Sequence, residues 1–204
     1  MNFPVFIGYR LLYNDSPKIS VYYPFIKGLA NRQAEIMINN SIVSTLNSIL
    51  IELGYHDPNL LEMVGHFEIK TNERGILSLS LLVYSFTGGA HGLTIIKSLT
   101  FNITTGKQYE LEDLFKSDSD YVKKVSANIQ MKIIEWETPL LDEFTHIRSD
   151  QDFYLADHSL VIYFQLYEIT PYVAGFPYFP IPILDIQDII NPEGPLETLL
   201  PFSF

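Results

Sequence analysis

His91 is the residue best placed to do chemistry in this chain. It sits in Tyr84-Ser85-Phe86-Thr87-Gly88-Gly89-Ala90-His91-Gly92, where three glycines interrupt an apolar, strand-like run. Imidazole titrates near neutral pH, and glycines give backbone freedom or allow close approach of two chains. With Glu168 or Asp113 as the carboxylate, His91 could form an acid-base pair for hydrolysis. The alternative is structural: Gly88, Gly89 and Gly92 shape a tight turn, and His91 is largely buried beside the Pro171-Tyr172 bend, bonded to a neighbouring strand. Tyr167, Glu168 and Tyr172 flank that bend and either fix it or face a ligand. No residue is assigned as catalytic. No phosphate loop, dinucleotide fingerprint or G-x-S-x-G elbow occurs, and His56, His66, His146 and His158 lack metal-ligand spacing. Zero cysteines removes thiolate metal sites, disulfides and cysteine nucleophiles. The expectation is no cofactor and no metal.

Charge narrows the partners. The net charge is −11, which argues against nucleic acid, because phosphate binding needs clustered Lys and Arg. Residues 149–204 hold no Lys or Arg and eight acids: Asp150, Asp152, Asp157, Glu168, Asp185, Asp188, Glu193 and Glu197. They also hold eleven aromatics: Phe153, Tyr154, Tyr163, Phe164, Tyr167, Tyr172, Phe176, Tyr178, Phe179, Phe202 and Phe204. An acidic, aromatic surface suits a basic protein or stacked sugar rings. The simpler reading, favoured because most aromatics of a folded domain are buried, is that the rings are core and the acids its solvated cover.

These residues must be held by a folded scaffold, and 204 residues with 47% hydrophobic composition can build one. Strands are expected at 3–13 and 18–25, and a helix over 31–53 capped by Asn31 and stopped by Gly54. Further strands are expected at 64–70, 76–86 and 93–103. A second helix should cover 118–135, followed by strands at 159–167 and 177–183 and a helical turn within 183–190. That order predicts α+β architecture, with antiparallel sheets, two main helices and two intimately packed halves, 1–95 and 96–204. No apolar run approaches the roughly 18 residues of a membrane span. Val5-Phe6-Ile7 is short, follows Pro4 and precedes Arg10, so the N-terminus does not read as a signal peptide. As written, the chain reads as cytoplasmic or as a mature form.

Several motifs are similar to a known bacterial family. They are Tyr23-Pro24-x-Ile26-x-Gly28-Leu29, the glycine loop with His91, and Phe101-Asn102-x-x-Thr105-Gly106-Lys107 with Leu111-x-Asp113-Leu114-Phe115. The last is Tyr163-Phe164-x-x-Tyr167-Glu168-Ile169-x-Pro171-Tyr172-x-Ala174-Gly175. In this order they resemble the paired domains of unknown function in the extracellular part of the anti-sigma factor RsiV. The same pair precedes the catalytic domain of PdaC-type peptidoglycan deacetylases. The resemblance implies a non-catalytic, extracytoplasmic binding module whose partner is a lysozyme-like basic muramidase or a peptidoglycan-related glycan. In the deacetylases the chemistry belongs to a separate metal-binding domain without a counterpart in these 204 residues.

Overall fold

The computed structural model describes residues 4–201 and divides into two compact units, 1–108 and 109–204. The first unit begins with a hairpin, β1 (Phe6–Asn14) and β2 (Lys18–Lys27). It continues through helix α1 (Arg32–Glu52) into β3 (Glu62–Glu73), β4 (Ile76–Phe86) and β5 (Leu93–Asn102), and the sheet order is β1-β2-β3-β4-β5. Asn31 caps α1 as expected, its Oδ1 accepting from the N–H groups of Gln33 and Ala34 at 3.0 and 3.2 Å. Ala34, Ile38, Ile42, Leu46 and Ile49 recur every three or four residues and are buried. They meet Ile19, Val21, Leu77, Leu79, Leu81 and Val83, the inward-facing residues of the sheet.

One pairing departs from the antiparallel expectation. β2 and β3 run parallel, Lys18–Val21 beside Glu62–Gly65. A helical crossover between neighbouring strands returns the chain to the same end of the sheet, so the second strand starts in the same direction. β3 is also longer than the expected 64–70. The polar residues after Ile69 stay in the ladder, and the turn shrinks to Arg74-Gly75, both with positive φ (50° and 83°). On the sheet face away from α1, the serines of β4 form a hydroxyl ladder with β5: Ser78 to Thr100 at 2.9 Å and Ser80 to Ser98 at 2.8 Å.

The two compact units meet at 108/109, whereas a division at 95 would pass through β5. That strand pairs with β4 along its whole length, Ser85 opposite Leu93 and Ile76 opposite Asn102. The following turn belongs with it, since Asn102 Oδ1 accepts from Thr104 and Thr105 N–H, and Asn31 Nδ2 donates to Thr104 O at 2.9 Å.

The second unit holds helix α2 (Tyr121–Glu135), a three-stranded antiparallel sheet and a short helix α3 (Pro195–Thr198). The sheet consists of β6 (Phe153–Ala156), β7 (Ser159–Tyr163) and β8 (Tyr178–Pro182), in that order. Val125, Ile129 and Ile133 of α2 are buried, as are Leu160, Ile162, Phe179, Ile181, Ile183 and Leu199. β6 is absent from the sequence expectation because it has only four residues. It is fixed by the tight turn at Asp157 (φ 49°) that brings Ala156 opposite Ser159. β7 ends at Tyr163, short of the expected 167, because the chain turns where Gln165 N–H donates to Glu168 Oε2 at 2.7 Å. The expected turn after 183 is a 3-10 turn, Ile183–Ile186. Phe3 of the first expected strand, with Phe202 and Phe204, lies outside the described residues.

Candidate functional site

The glycine loop is built as the sequence requires, for two different reasons. Gly88 and Gly89 have φ of 98° and 104°, a conformation that side chains disfavour. Gly92 is instead a close approach: a Cβ there would lie 2.2 Å from Ser85 O and 2.3 Å from the Tyr84 ring. His91 itself is exposed, contrary to the expectation of burial. Gly92 presses the loop stem against Tyr84, the left-handed glycines carry the tip outward, and the imidazole Nδ1 lies 2.9 Å from Gly92 O.

The carboxylates proposed to serve His91 are engaged within the second unit. Asp113 Oδ2 accepts from Glu110 N–H at 2.9 Å in a capping box. Glu168 is more heavily committed. It pairs with the Arg148 guanidinium and accepts from Gln151 Nε2 at 3.1 Å and from Gln165 N–H at 2.7 Å. Gln151, nearly fully buried, also donates to Tyr163 O at 3.0 Å. Burial lowers the Arg148 pKa, but Glu168, Asp150 and Asp152 outweigh it and hold the guanidinium above its ordinary value. Glu168 thus ties the loop 165–175 to the segment before β6. Among the described residues, no three His, Asp or Glu side chains come together as a metal site.

With Glu168 as its anchor, that loop presents apolar groups to solvent. Tyr167 has φ of 65° and is 50% exposed, its ring 5.5 Å from that of half-buried Tyr172. A left-handed aromatic residue is uncommon and marks a place where surroundings dictate the backbone. Pro171 opens the 3-10 turn Tyr172–Ala174, and Val173 at its crest is 93% exposed. Beside it lies a cleft of about 190 Å³ lined by Trp136, Pro139, Thr170, Ala174, Tyr178 and Phe179, among others. Trp136, 46% exposed, stacks on Phe179 at 5.8 Å, and Leu141 N–H donates to Ile169 O at 2.9 Å, holding the next segment against the loop. Trp136 carries no sequence signal beyond being the single tryptophan.

Most of the C-terminal aromatics are core. Phe153, Tyr163, Phe164 and Phe179 are buried, Tyr154, Phe176 and Tyr178 are half-buried, and only Tyr167 of the described nine is exposed. The acids are different. The second unit carries 17 acidic against five basic residues, a net of −12, whereas the first carries seven against eight, a net of +1. Glu135, Glu137, Asp142 and Glu143 are exposed in the segment that includes Trp136 and Leu141.

The comparisons with known proteins follow the same division. A family model described as Deacetylase PdaC matches residues 13–94, within the first unit, and the Protein of unknown function (DUF3298) model matches 112–183, within the second. PdaC of Bacillus subtilis, the peptidoglycan-N-acetylmuramic acid deacetylase, is 26% identical over 117 residues, 54% of this chain and 25% of that protein. Solved structures of DUF3298 family proteins share the fold. One from Pseudomonas aeruginosa gives a TM-score of 0.68 at 13% identity, covering 98% of this chain and 99% of that one. One from Bacteroides fragilis gives 0.66 at 14% identity, covering 92% and 94%. The anti-sigma-V factor RsiV of Bacillus subtilis is 30% identical over 195 residues, 88% of this chain and 67% of RsiV. With that identity across both units, and the two family models in tandem, the chain belongs to the RsiV family.

Proposed function

We propose that this chain is a non-catalytic binding module that captures a cationic protein on its second unit, with a lysozyme-like muramidase as the partner class. The observation that carries the reading is the net charge of −12 on a unit that also exposes Val173, Tyr167 and Trp136. A strongly acidic domain steers a basic protein into encounter, and a projecting apolar side chain then supplies contact that a cleft in the partner can bury. A neutral glycan would gain stacking from the aromatics but nothing from the charge, so a basic protein fits better. Family membership supports the same partner class, through the lysozyme-sensing role that the resemblance to RsiV implies. The reading carries an extracytoplasmic location with it, where such muramidases act.

Hydrolysis by His91 with Glu168 or Asp113 has less support, because both carboxylates already serve the second unit's own backbone and side chains. The test is a calorimetric titration with hen-type lysozyme, using the unaltered chain and Val173→Ser. Losing a buried valine contact should cost about 1.5 kcal/mol, roughly a tenfold weaker Kd. Equal affinity for both proteins, or no binding by either, would sink the assignment of this surface.

A further inference from the structure

We propose that β1 is an edge for self-association: a second copy of this chain pairs with it, antiparallel, about a two-fold axis at Leu11. β1 is the outermost strand of its sheet, nine residues long, and pairs with β2 without a register shift. Its free backbone groups follow from the way β2 is used. Ile26 N–H donates to Asn39 Oδ1 at 2.9 Å and its carbonyl accepts from Asn39 Nδ2 at 3.0 Å, so Ile26 turns its backbone away from β1. Lys18 N–H donates to Leu61 O at 3.0 Å, on the side of β3, and Pro24 between them has no N–H to offer. Backbone polar groups alternate sides along a strand, so the even-numbered residues of β2 all face away from β1. Their opposite numbers Ile7, Tyr9, Leu11 and Tyr13 therefore turn N–H and C=O to the open edge.

Open edges are ordinarily blunted by lysine, proline, a bulge or short length, and β1 has none of these. Its one charged residue, Arg10, lies over the Phe25 ring at 5.3 Å. Phe6, Tyr9, Leu11 and Tyr13 are exposed, as is Tyr22 of β2 opposite Leu11. The order of these side chains identifies the occupant. Tyr9, Leu11 and Tyr13 share one face of the strand and read the same in both directions. An antiparallel copy centred on Leu11 sets Leu11 against its own equivalent and each Tyr9 against the other copy's Tyr13. The free groups of those three residues then close about six hydrogen bonds between the strands. Arg10 meets Leu12 of the other copy in this register, whereas an axis at Arg10 would oppose two guanidinium groups. The net charge of +1 on the first unit, against −12 on the second, also makes this the unit through which like copies meet least repulsion. A strand from an unrelated protein would use the same backbone groups without matching the Tyr-Leu-Tyr order.

The test is sedimentation velocity of the full chain from micromolar to millimolar concentration, beside Leu11→Lys, with melting temperatures compared. The unaltered chain should pass from one copy to two as concentration rises. Leu11→Lys, which places two ammonium groups at the axis, should weaken that association at least tenfold and leave the melting temperature unchanged. Register is read by cysteine cross-linking, since the chain has no cysteine of its own. Under mild oxidation Leu11→Cys should give a covalent dimer, its two Cα atoms being roughly 5.5 Å apart across the axis. Tyr13→Cys alone should not, because its equivalents lie roughly 14 Å apart, but it should cross-link to Tyr9→Cys. A chain that stays monomeric, a dimer that survives Leu11→Lys, or Tyr13→Cys cross-linking to itself as readily as Leu11→Cys would overturn the proposal.

Discussion

At the scale of single residues, Tyr167 belongs to the proposed binding surface and Glu35 to the folding core. Tyr167 holds a left-handed backbone (φ 65°) while exposing half its side chain. Tyr167→Gly removes the ring and relieves that backbone, so the melting temperature should hold or rise while lysozyme binding weakens. A fall in both together would make Tyr167 a structural residue. Glu35 is the opposite case, a buried carboxylate that closes the turn before α1. Its Oε2 accepts from Gly28 and Leu29 N–H at 2.7 and 3.0 Å, and it pairs with Arg32. Burial pushes its pKa up, but the backbone donors of Leu29 and Gly28 and the Arg32 charge together hold it below the usual carboxylate range. A depressed folded pKa stabilises above the unfolded value of about 4.3, and that contribution disappears as pH falls through the folded value. Urea denaturation as a function of pH should therefore show an acid-side loss of stability that Glu35→Gln reduces. An unchanged acid limb in the variant would contradict this.

At the scale of elements, α1 and the glycine loop carry the two clearest packing predictions. Ile42→Ala in α1 opens a cavity beneath the five-stranded sheet and should cost about 2–5 kcal/mol by chemical denaturation. Gly92→Ala drives a methyl group into Ser85 O and should cost about 1–3 kcal/mol. A neutral result for Gly92→Ala would mean the stem is not held against β4. Both elements were legible in the sequence. Asn31, the three-and-four spacing of α1 and Gly54 mark a helix with little ambiguity, and three glycines in five residues mark a constrained loop. The parallel pairing of β2 with β3 was not, because strand direction depends on where the crossover delivers the chain and leaves no local signature. β6 was too short to show a period. The exposure of His91 depends on which way the loop tip points, which neighbouring strands decide. For the site, Tyr167, Glu168 and Tyr172 could be picked from the sequence as neighbours of one bend, but their division of labour needed coordinates. Glu168 turned out to be the anchor, and the projecting group is Val173, an aliphatic residue that no motif-based reading of chemistry would select.

At the scale of the whole molecule, the division of charge is what links the fold to the proposed capture of a cationic protein. The sequence showed an acidic tail from residue 149, and the structural boundary extends it, leaving the first unit near neutral and the second at −12. Among the described residues no helix is long and apolar enough to cross a membrane. Attraction between the second unit and a basic partner should fade as salt shortens the Debye length from about 10 Å at 0.1 M to about 3 Å at 1 M. The decisive measurement is the Kd and association rate for hen-type lysozyme across that range of ionic strength, by stopped-flow or biosensor kinetics. Saturable binding at low salt, with an association rate that falls at least tenfold by 1 M while dissociation changes little, is the predicted result. Absence of binding at low salt, or binding whose association rate ignores salt, would contradict capture of a cationic protein by the acidic unit.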